Sequence, residues 1–168
     1  RPFVPWDGKG IEIGVGSGRF AAPLGVQAGV DPSPAMLVHA AARGIAVVEG
    51  TAENLPFVAG SFDFALVVTT LCFVDSPVRM LEEARRVLKP DGRLVIGFID
   101  RDSGMGQDYL AHQNENVFYR EATFYSAEEV ARLLLDAGFS IDAWGQTLEH
   151  PLPETREIEA LRPGRGQC

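Results

Sequence analysis

At 168 residues and 46% hydrophobic content, the chain has room for one domain with a substantial buried core. Its 23 acidic residues outnumber 15 basic ones, for a formal net charge of −8, and no basic run offsets them; DNA, RNA and an anionic membrane surface are therefore disfavoured as the main partner. Cys72 and Cys168 form neither a metal-ligand spacing nor a disulfide framework, so no metal is expected, and with no bilayer-length apolar run and no signal-peptide pattern the expected location is the cytoplasm.

Residues 1–9, with Pro2, Pro5 and Gly8, carry neither a helical nor a strand period and read as an extended lead-in in which Trp6 is a packing anchor. Ile11, Ile13 and Val15 then read as a buried parallel strand, after which Gly14, Gly16 and Gly18 carry the backbone through a tight turn into a helix beginning near Arg19. A turn free of Cβ atoms lets a ligand lie against main-chain N–H groups at a helix N-terminus. A single glycine there would be read as packing; three at alternate positions after an apolar strand favour a small polar or partly anionic ligand. A dinucleotide fingerprint needs Gly or Ala at its sixth position, where this sequence has Arg19.

The pattern Glu12-x-Gly14-x-Gly16-x-Gly18 resembles motif I of the Rossmann-like S-adenosylmethionine-dependent methyltransferases. Four later blocks are similar to that family's subsequent motifs, in order and spacing: Gly29-Val30-Asp31-Pro32-Ser33, Gly50-Thr51-Ala52-Glu53-Asn54-Leu55-Pro56-Phe57, Ser61-Phe62-Asp63 and Leu88-Lys89-Pro90-Asp91-Gly92-Arg93-Leu94. The resemblance is strongest to the small-molecule subgroup that includes the ubiquinone and menaquinone methyltransferases, and it covers residues 10–100 well and the remainder loosely. It implies an α/β fold, a three-layer αβα domain over residues 1–168 with a mostly parallel sheet in the order 3-2-1-4-5-7-6, the last strand short or missing. It implies S-adenosyl-L-methionine as cofactor, a small-molecule acceptor, and a monomer or homodimer. As cofactor contacts it implies Glu12, Gly14, Gly16, Gly18, Asp31, Pro32, Met36, Thr51, Ala52, Glu53, Thr69 and Thr70.

After the glycine turn, residues 20–24 supply a short helix cut off by Pro23 and Gly25, and residues 26–31 a second strand. A carboxylate at the carboxyl end of a parallel strand beside the turn faces the crevice where a ribose would lie, which favours that role for Asp31 over helix capping, since Ser33 is already placed to cap. Residues 36–43 read as a helix with Met36, Leu37 and Ala40 on its apolar side and Gly44 as its stop, His39 facing solvent. Residues 45–48 read as a third strand, apolar throughout as if covered on both faces. At its end the family often has an acidic residue for the adenine amino group, and here Thr51 stands instead; Ala52 remains available through its backbone, while Glu53 is either a neighbour of adenine or a solvated loop charge.

Residues 65–71 read as the central fourth strand. Thr69 and Thr70 at its end either touch the methionine part of the cofactor or bond a neighbouring carbonyl. Relatives that methylate exocyclic amines of adenine, or a glutamine amide, typically carry an Asn/Asp-Pro-Pro-aromatic tetrapeptide where this chain has Thr69-Thr70-Leu71-Cys72, which disfavours that substrate class. Asp75-Ser76-Pro77 opens a helix with Val78, Leu81, Ala84 and Leu88 at helical spacing, and Arg85, Arg86 and Lys89 suit its C-terminal end as a solvated basic face. Residues 93–99 read as the fifth strand. From 101 to 125 the rhythm breaks: Gly104 and Gly106 interrupt it, and Tyr109, Phe118, Tyr119, Phe124 and Tyr125 gather there. This stretch reads as a substrate-covering insertion, helical around 109–116, in which His112, Glu115, Tyr119, Arg120 and Tyr125 are the polar groups able to orient or deprotonate an acceptor. Ser126-Ala127-Glu128-Glu129 is a capping box for an amphipathic helix ending at Gly138, followed by a sixth strand over 139–148.

Methyl transfer from a sulfonium needs alignment more than a catalytic dyad, in keeping with a sequence that shows a glycine turn and no Ser-His-Asp or Cys-His arrangement; no catalytic residue is assigned. Two other readings compete: an NAD(P)-dependent oxidoreductase, opposed by Arg19 at the sixth fingerprint position, and a non-catalytic S-adenosylmethionine-binding domain, opposed by the joint presence of Glu12, the glycines and Asp31.

Overall fold

The computed structural model describes residues 3–5, 7–147 and 161–164. Two compact units divide the chain, Arg1–Phe98 and Ile99–Cys168. The first is built on a five-stranded parallel sheet in the order β3-β2-β1-β4-β5, with β1 Gly10–Ile13, β2 Ala28–Asp31, β3 Ala46–Glu49, β4 Phe62–Val68 and β5 Leu88–Gly97. Sequence order reverses between β1 and β4, so the carboxyl ends of these two central strands flank the crevice where open α/β sheets bind ligands.

Four buried residues make β1 the most covered strand. Phe64 and Leu66, two apart and hence on one face of β4, pack with Val15, Ala21, Val26, Leu37, Ala40 and Ile45. Leu37 and Ala40 come from α2 (Pro34–Ala41), which Ser33 caps by accepting from Met36 N–H, with Pro34 in the first turn where no N–H is needed. α1 (Ala21–Leu24) is one turn long and stops at Gly25, φ 69°; Pro23 lies inside it, in the first turn, where a missing N–H is tolerated, while Ala22 and Leu24 donate to the Gly18 and Phe20 carbonyls. The third helix, α3 (Pro77–Val87), buries Met80, Leu81, Ala84 and Val87 and neighbours β5; each large side chain so buried contributes about 1.5–3 kcal/mol.

Several boundaries differ from the sequence expectation. The fourth strand runs over 62–68 and not 65–71, because β4 pairs with β1 from Phe64 onward and the chain leaves the sheet at Thr69 into a 3-10 turn over Leu71–Phe73. The fifth strand begins at Leu88, paired with Phe62; residues 89–92 then loop out before Arg93 pairs with Phe64. The third strand is an edge, not a strand covered on both faces: it pairs only with β2, and Ala46, Val48 and Glu49 are exposed.

In the second unit, α4 (Gly104–Ala111) starts five residues before the expected helix. Gly104 and Gly106 do not interrupt it; Ser103 caps the helix, and Gly106 sits where a Cβ would meet the Asp100 carbonyl. A 3-10 turn follows over Gln113–Glu115. α5 (Ala127–Asp136) carries the expected capping box between Ser126 and Glu129. Of the expected sixth strand only Gly145–Gln146 is strand (β6), paired antiparallel with Arg162–Pro163 (β7). The seven-strand order is thus realised through its first five strands, with a separate two-stranded hairpin. Trp6, Leu148 and Cys168 lie outside the described residues.

Candidate functional site

Register puts the ends of β1 and β2 level, Ile13 opposite Val30, so Asp31 emerges beside the glycine turn. Gly14 and Val15 both donate their N–H groups to the Val30 carbonyl, at 2.8 and 2.9 Å. Across the turn, Asp31 Oδ2 accepts from Gly16 N–H at 2.9 Å, while Oδ1 accepts from Ser33 N–H at 2.9 Å. Each carboxylate oxygen retains acceptor capacity beyond those bonds. On the other side, Thr70 Oγ1 lies 3.2 Å from the Ile13 carbonyl and 3.2 Å from that of Val68, joining the ends of β4 and β1.

Two of the turn's glycines do different work. Gly14 (φ 74°) leaves no room for a Cβ, which would overlap the Thr70 side chain. Gly16 (φ 50°) faces open space, with nothing within 4 Å of where a Cβ would be. The first glycine permits packing between strand ends; the second keeps a surface of bare main chain accessible.

Beneath the turn lies Glu12, 1% exposed. One of its carboxyl oxygens accepts from Ala21 N–H, and Oε2 is buried with no hydrogen-bond partner. Burial, opposed by the Ala21 bond and reinforced by the nearby Asp31 charge, pushes its pKa up from 4.5 to about 8. A buried carboxyl with one oxygen unpartnered at a strand end is costly for folding and characteristic of binding sites.

Thr69 is held at φ 53°, in the left-handed region that a β-branched residue rarely enters. Its N–H donates to the Gly97 carbonyl at 2.8 Å and Oγ1 to the Val68 carbonyl at 2.8 Å. Both threonines therefore bond carbonyls, as the second of the two sequence readings has it. Such strain persists where surrounding structure over-determines it, typically at ligand sites. Cys72 Sγ lies 3.3 Å from the Thr69 carbonyl, and burial pushes the thiol up to about 11, which keeps it protonated and unreactive near neutrality.

The loop after β3 brings Thr51 to the surface and buries Ala52. Glu53 is neither free nor merely solvated: Oε1 accepts from Asp75 N–H at 2.9 Å and Ser76 N–H at 3.3 Å, bracing the loop against the start of α3. Glu83 and Arg86, an ion pair at 2.6 Å, hold the same loop. Glu83 Oε2 accepts from Leu55 N–H, and Arg86 donates to the carbonyls of Leu55 and Phe57. Sequence reading placed Arg86 on a solvated face; the Glu-x-x-Arg spacing on α3 marks its pairing with Glu83 but not its hold on the loop. Asp31, Gly14, Gly16, Glu12, Thr69 and Thr70 thus converge on one set of strand ends, with Met36 half-buried and Pro32 exposed near the start of α2.

In the second unit, Tyr109, Tyr119 and Phe124 form an aromatic trio with ring centroids 4.8–6.1 Å apart. Gln113 Nε2 donates to the carbonyls of Tyr119 and Ala122, closing the loop over 113–122. Arg101 pairs with Glu129 at 3.0 Å, and Asp100 Oδ1 accepts from Ala127 N–H. His112 is exposed, its Nδ1 3.0 Å from the Asp108 carbonyl, and Glu115 and Arg120 are exposed. Val117 and Phe118 lie bare at the loop's tip, 81% and 73% exposed.

A parallel sheet whose order reverses between β1 and β4, with a glycine turn and a carboxylate at neighbouring strand ends, is the arrangement at which open α/β sheets bind ligands. Residues 11–96 match the family model of the methyltransferase domain. A crystal structure from Thermotoga maritima, an S-adenosylmethionine-dependent methyltransferase described as a possible histamine N-methyltransferase, is 49% identical and superposes with a TM-score of 0.93, over 95% of this chain and 77% of that one. An uncharacterized protein of Methanocaldococcus jannaschii is 42% identical over 95% of this chain and 78% of its own length. A Mycobacterium tuberculosis relative is 43% identical over 92% of this chain, which spans only 55% of that protein. The chain belongs to the S-adenosylmethionine-dependent methyltransferase family, and its cofactor is S-adenosylmethionine, not NAD(P).

The residues present fit that cofactor on their own evidence: an orphaned buried carboxyl oxygen, Glu12 Oε2, under a turn whose Gly16 is open. No helix among the described residues is long and apolar enough to cross a membrane, and no group of His, Cys, Asp and Glu among them could hold a metal ion.

Proposed function

We propose that this chain methylates a small organic acceptor, using the strand-end crevice of the first unit to hold S-adenosylmethionine. The observation that carries the reading is Asp31 reaching 2.9 Å to Gly16 N–H, which puts a carboxylate and bare main chain side by side. When bound, the cofactor supplies a sulfonium methyl already activated for displacement, so the protein's contribution is alignment and exclusion of water.

In this reading Asp31 accepts from the ribose hydroxyls through its remaining lone pairs, and Gly14, Gly16 and Gly18 let the adenosyl and methionine parts approach the backbone. Pro32 and Met36 flank the ribose side. Thr51, Ala52 and Glu53 border the adenine, on a loop stiffened by Glu83 and Arg86. Thr69 and Thr70 border the methionine part, where the strained Thr69 backbone fixes the direction of its carbonyl. Residues 101–125 belong to the same catalytic domain as an insertion that covers the acceptor, and His112, Glu115, Tyr119, Arg120 and Tyr125 supply its polar contacts.

A small acceptor is supported by the net charge of −8, unsuited to a polyanion, and by the description of the Thermotoga relative as a possible methyltransferase of histamine, a small amine. The test is incubation with methyl-labelled S-adenosylmethionine and a panel of small amines, phenols and carboxylic acids beside RNA, DNA and protein, read by mass spectrometry. Label in a small molecule is the expected result; label confined to macromolecules overturns it.

A further inference from the structure

We propose that Glu12 is a neutral acid in the empty site and gives its proton to solvent when the positively charged cofactor binds, so that cofactor binding is coupled to proton release. The inference rests on the strand-end crevice being the cofactor site.

The geometry is specific. Glu12 sits at the end of β1, directly under the turn that leaves Gly16 open, and it is 1% exposed. Its Oε2 is buried and has no hydrogen-bond partner. An ionised carboxylate in that position would leave buried charge uncompensated, whereas a protonated one leaves only an unpaired hydroxyl. Among the described residues no cation is found to act on it. On β2 the group that faces it is Asp31, of the same sign. On β4 the acidic Asp63 is engaged elsewhere, accepting from Lys9 N–H at 2.8 Å and Lys89 Nζ at 2.6 Å. α1 (Ala21–Leu24) has no titratable residue, and His39 of α2 and Arg19 of the turn are exposed. Burial accordingly holds the Glu12 pKa at about 8, and neutrality of the acid is the state at pH 7.

S-adenosylmethionine brings a sulfonium and an ammonium. An opposite charge within about 4–6 Å lowers a carboxyl pKa by roughly 1–3 units, which carries Glu12 from mostly protonated to mostly ionised near neutrality. The proton leaves to buffer, and the released carboxylate pairs electrostatically with the ligand's positive charge. Adenosine, which is neutral, produces no such shift. Glu12 thereby distinguishes a charged from an uncharged occupant of the same crevice, a discrimination that Asp31 and the glycine amides do not provide.

The test is titration calorimetry of the whole chain with S-adenosylmethionine at pH 7, in two buffers of different ionisation enthalpy. The buffer-dependent part of the heat counts protons, and roughly half to one proton released per cofactor is expected from that shift. Adenosine should bind without release. Glu12→Gln should bind S-adenosylmethionine with no buffer-dependent heat. Should that variant not fold, difference infrared spectra of the wild type must show loss of a protonated-carboxyl band on cofactor addition and none on adenosine addition. Saturable binding with equal heats in both buffers overturns the coupling while leaving the cofactor site intact, as does release that persists in Glu12→Gln. Absence of any saturable heat overturns the site itself.

Discussion

The glycine turn after β1, in the first unit, and the aromatic stretch over 101–125, in the second, are built by opposite means. The turn is made of main chain: Gly14 and Val15 N–H groups on the Val30 carbonyl, Gly16 N–H on Asp31, and an open face where side chains are missing. The loop is made of side chains: the Tyr109, Tyr119 and Phe124 rings, and the Gln113 amide on two carbonyls. In the proposed reading the main-chain surface holds the cofactor common to the family's reactions, whereas a side-chain surface that meets the acceptor can be respecified without disturbing the sheet. The cofactor and the acceptor are therefore expected to be separable by mutation.

The strongest test of that separation is Gly16→Leu. The side chain would occupy the open face at φ 50°, at a backbone cost of about 1–2 kcal/mol. Cofactor binding by calorimetry should vanish while circular dichroism reports a folded protein. Binding that survives would mean the ligand does not lie against the turn. By contrast, a Cβ at Gly14 overlaps Thr70, so Gly14→Ala should lower the melting temperature as well as affinity.

Glu12 gives the next largest effect, on stability. Its folded pKa, about 8, stands above the unfolded value of 4.5, so the folded state binds the extra proton. Stability from this group is fully present below pH 4.5 and is lost as pH rises through 8. Between pH 5 and 8 the cofactor-free protein should lose roughly 3 kcal/mol through this group, by linkage. Denaturant titration at both pH values measures it, and Glu12→Gln should remove most of that slope. A wild type whose stability is flat over this window would show that Glu12 is already ionised.

Asp31→Ala should weaken cofactor binding by roughly 1.5–3 kcal/mol, the size of a lost charged hydrogen bond, with smaller effects on folding because only Gly16 and Ser33 N–H groups lose a partner. Unchanged affinity would remove the ribose role.

How much of this was legible beforehand follows the same division. Glu12, the three glycines and Asp31 could be read because a strand end, a turn and a neighbouring strand end are constrained by backbone geometry, which spacing records. Ser33, Ser126 and Glu129 were legible as caps for the same reason: they act within three residues of their partners. Contacts across long sequence separations left no such trace. Nothing in the order of residues announces that Arg86 will hold the carbonyls of Leu55 and Phe57, or that Glu53 will reach Asp75. The left-handed Thr69 was equally hidden, since a β-branched residue after an apolar run signals strand. The glycines at 104 and 106 misled because the sequence does not show that Ser103 turns them into a helix start.

The smallest expected effect is the one that probes the second unit. Ser126 caps α5 by accepting from Glu129 N–H at 3.2 Å, while Glu129 returns the bond to Ser126 N–H at 2.8 Å and also pairs with Arg101. Ser126→Ala removes one arm of that box and should cost about 1 kcal/mol. Because Arg101 N–H donates to the Tyr125 carbonyl next to the cap, loosening the cap also loosens one end of the 101–125 loop. If that loop orders the acceptor and the glycine turn holds the cofactor, Ser126→Ala should raise KM for the acceptor several-fold and leave the calorimetric affinity for S-adenosylmethionine unchanged. Equal losses in both would mean that the two kinds of surface are not separable, and that the loop contributes to holding the cofactor as well.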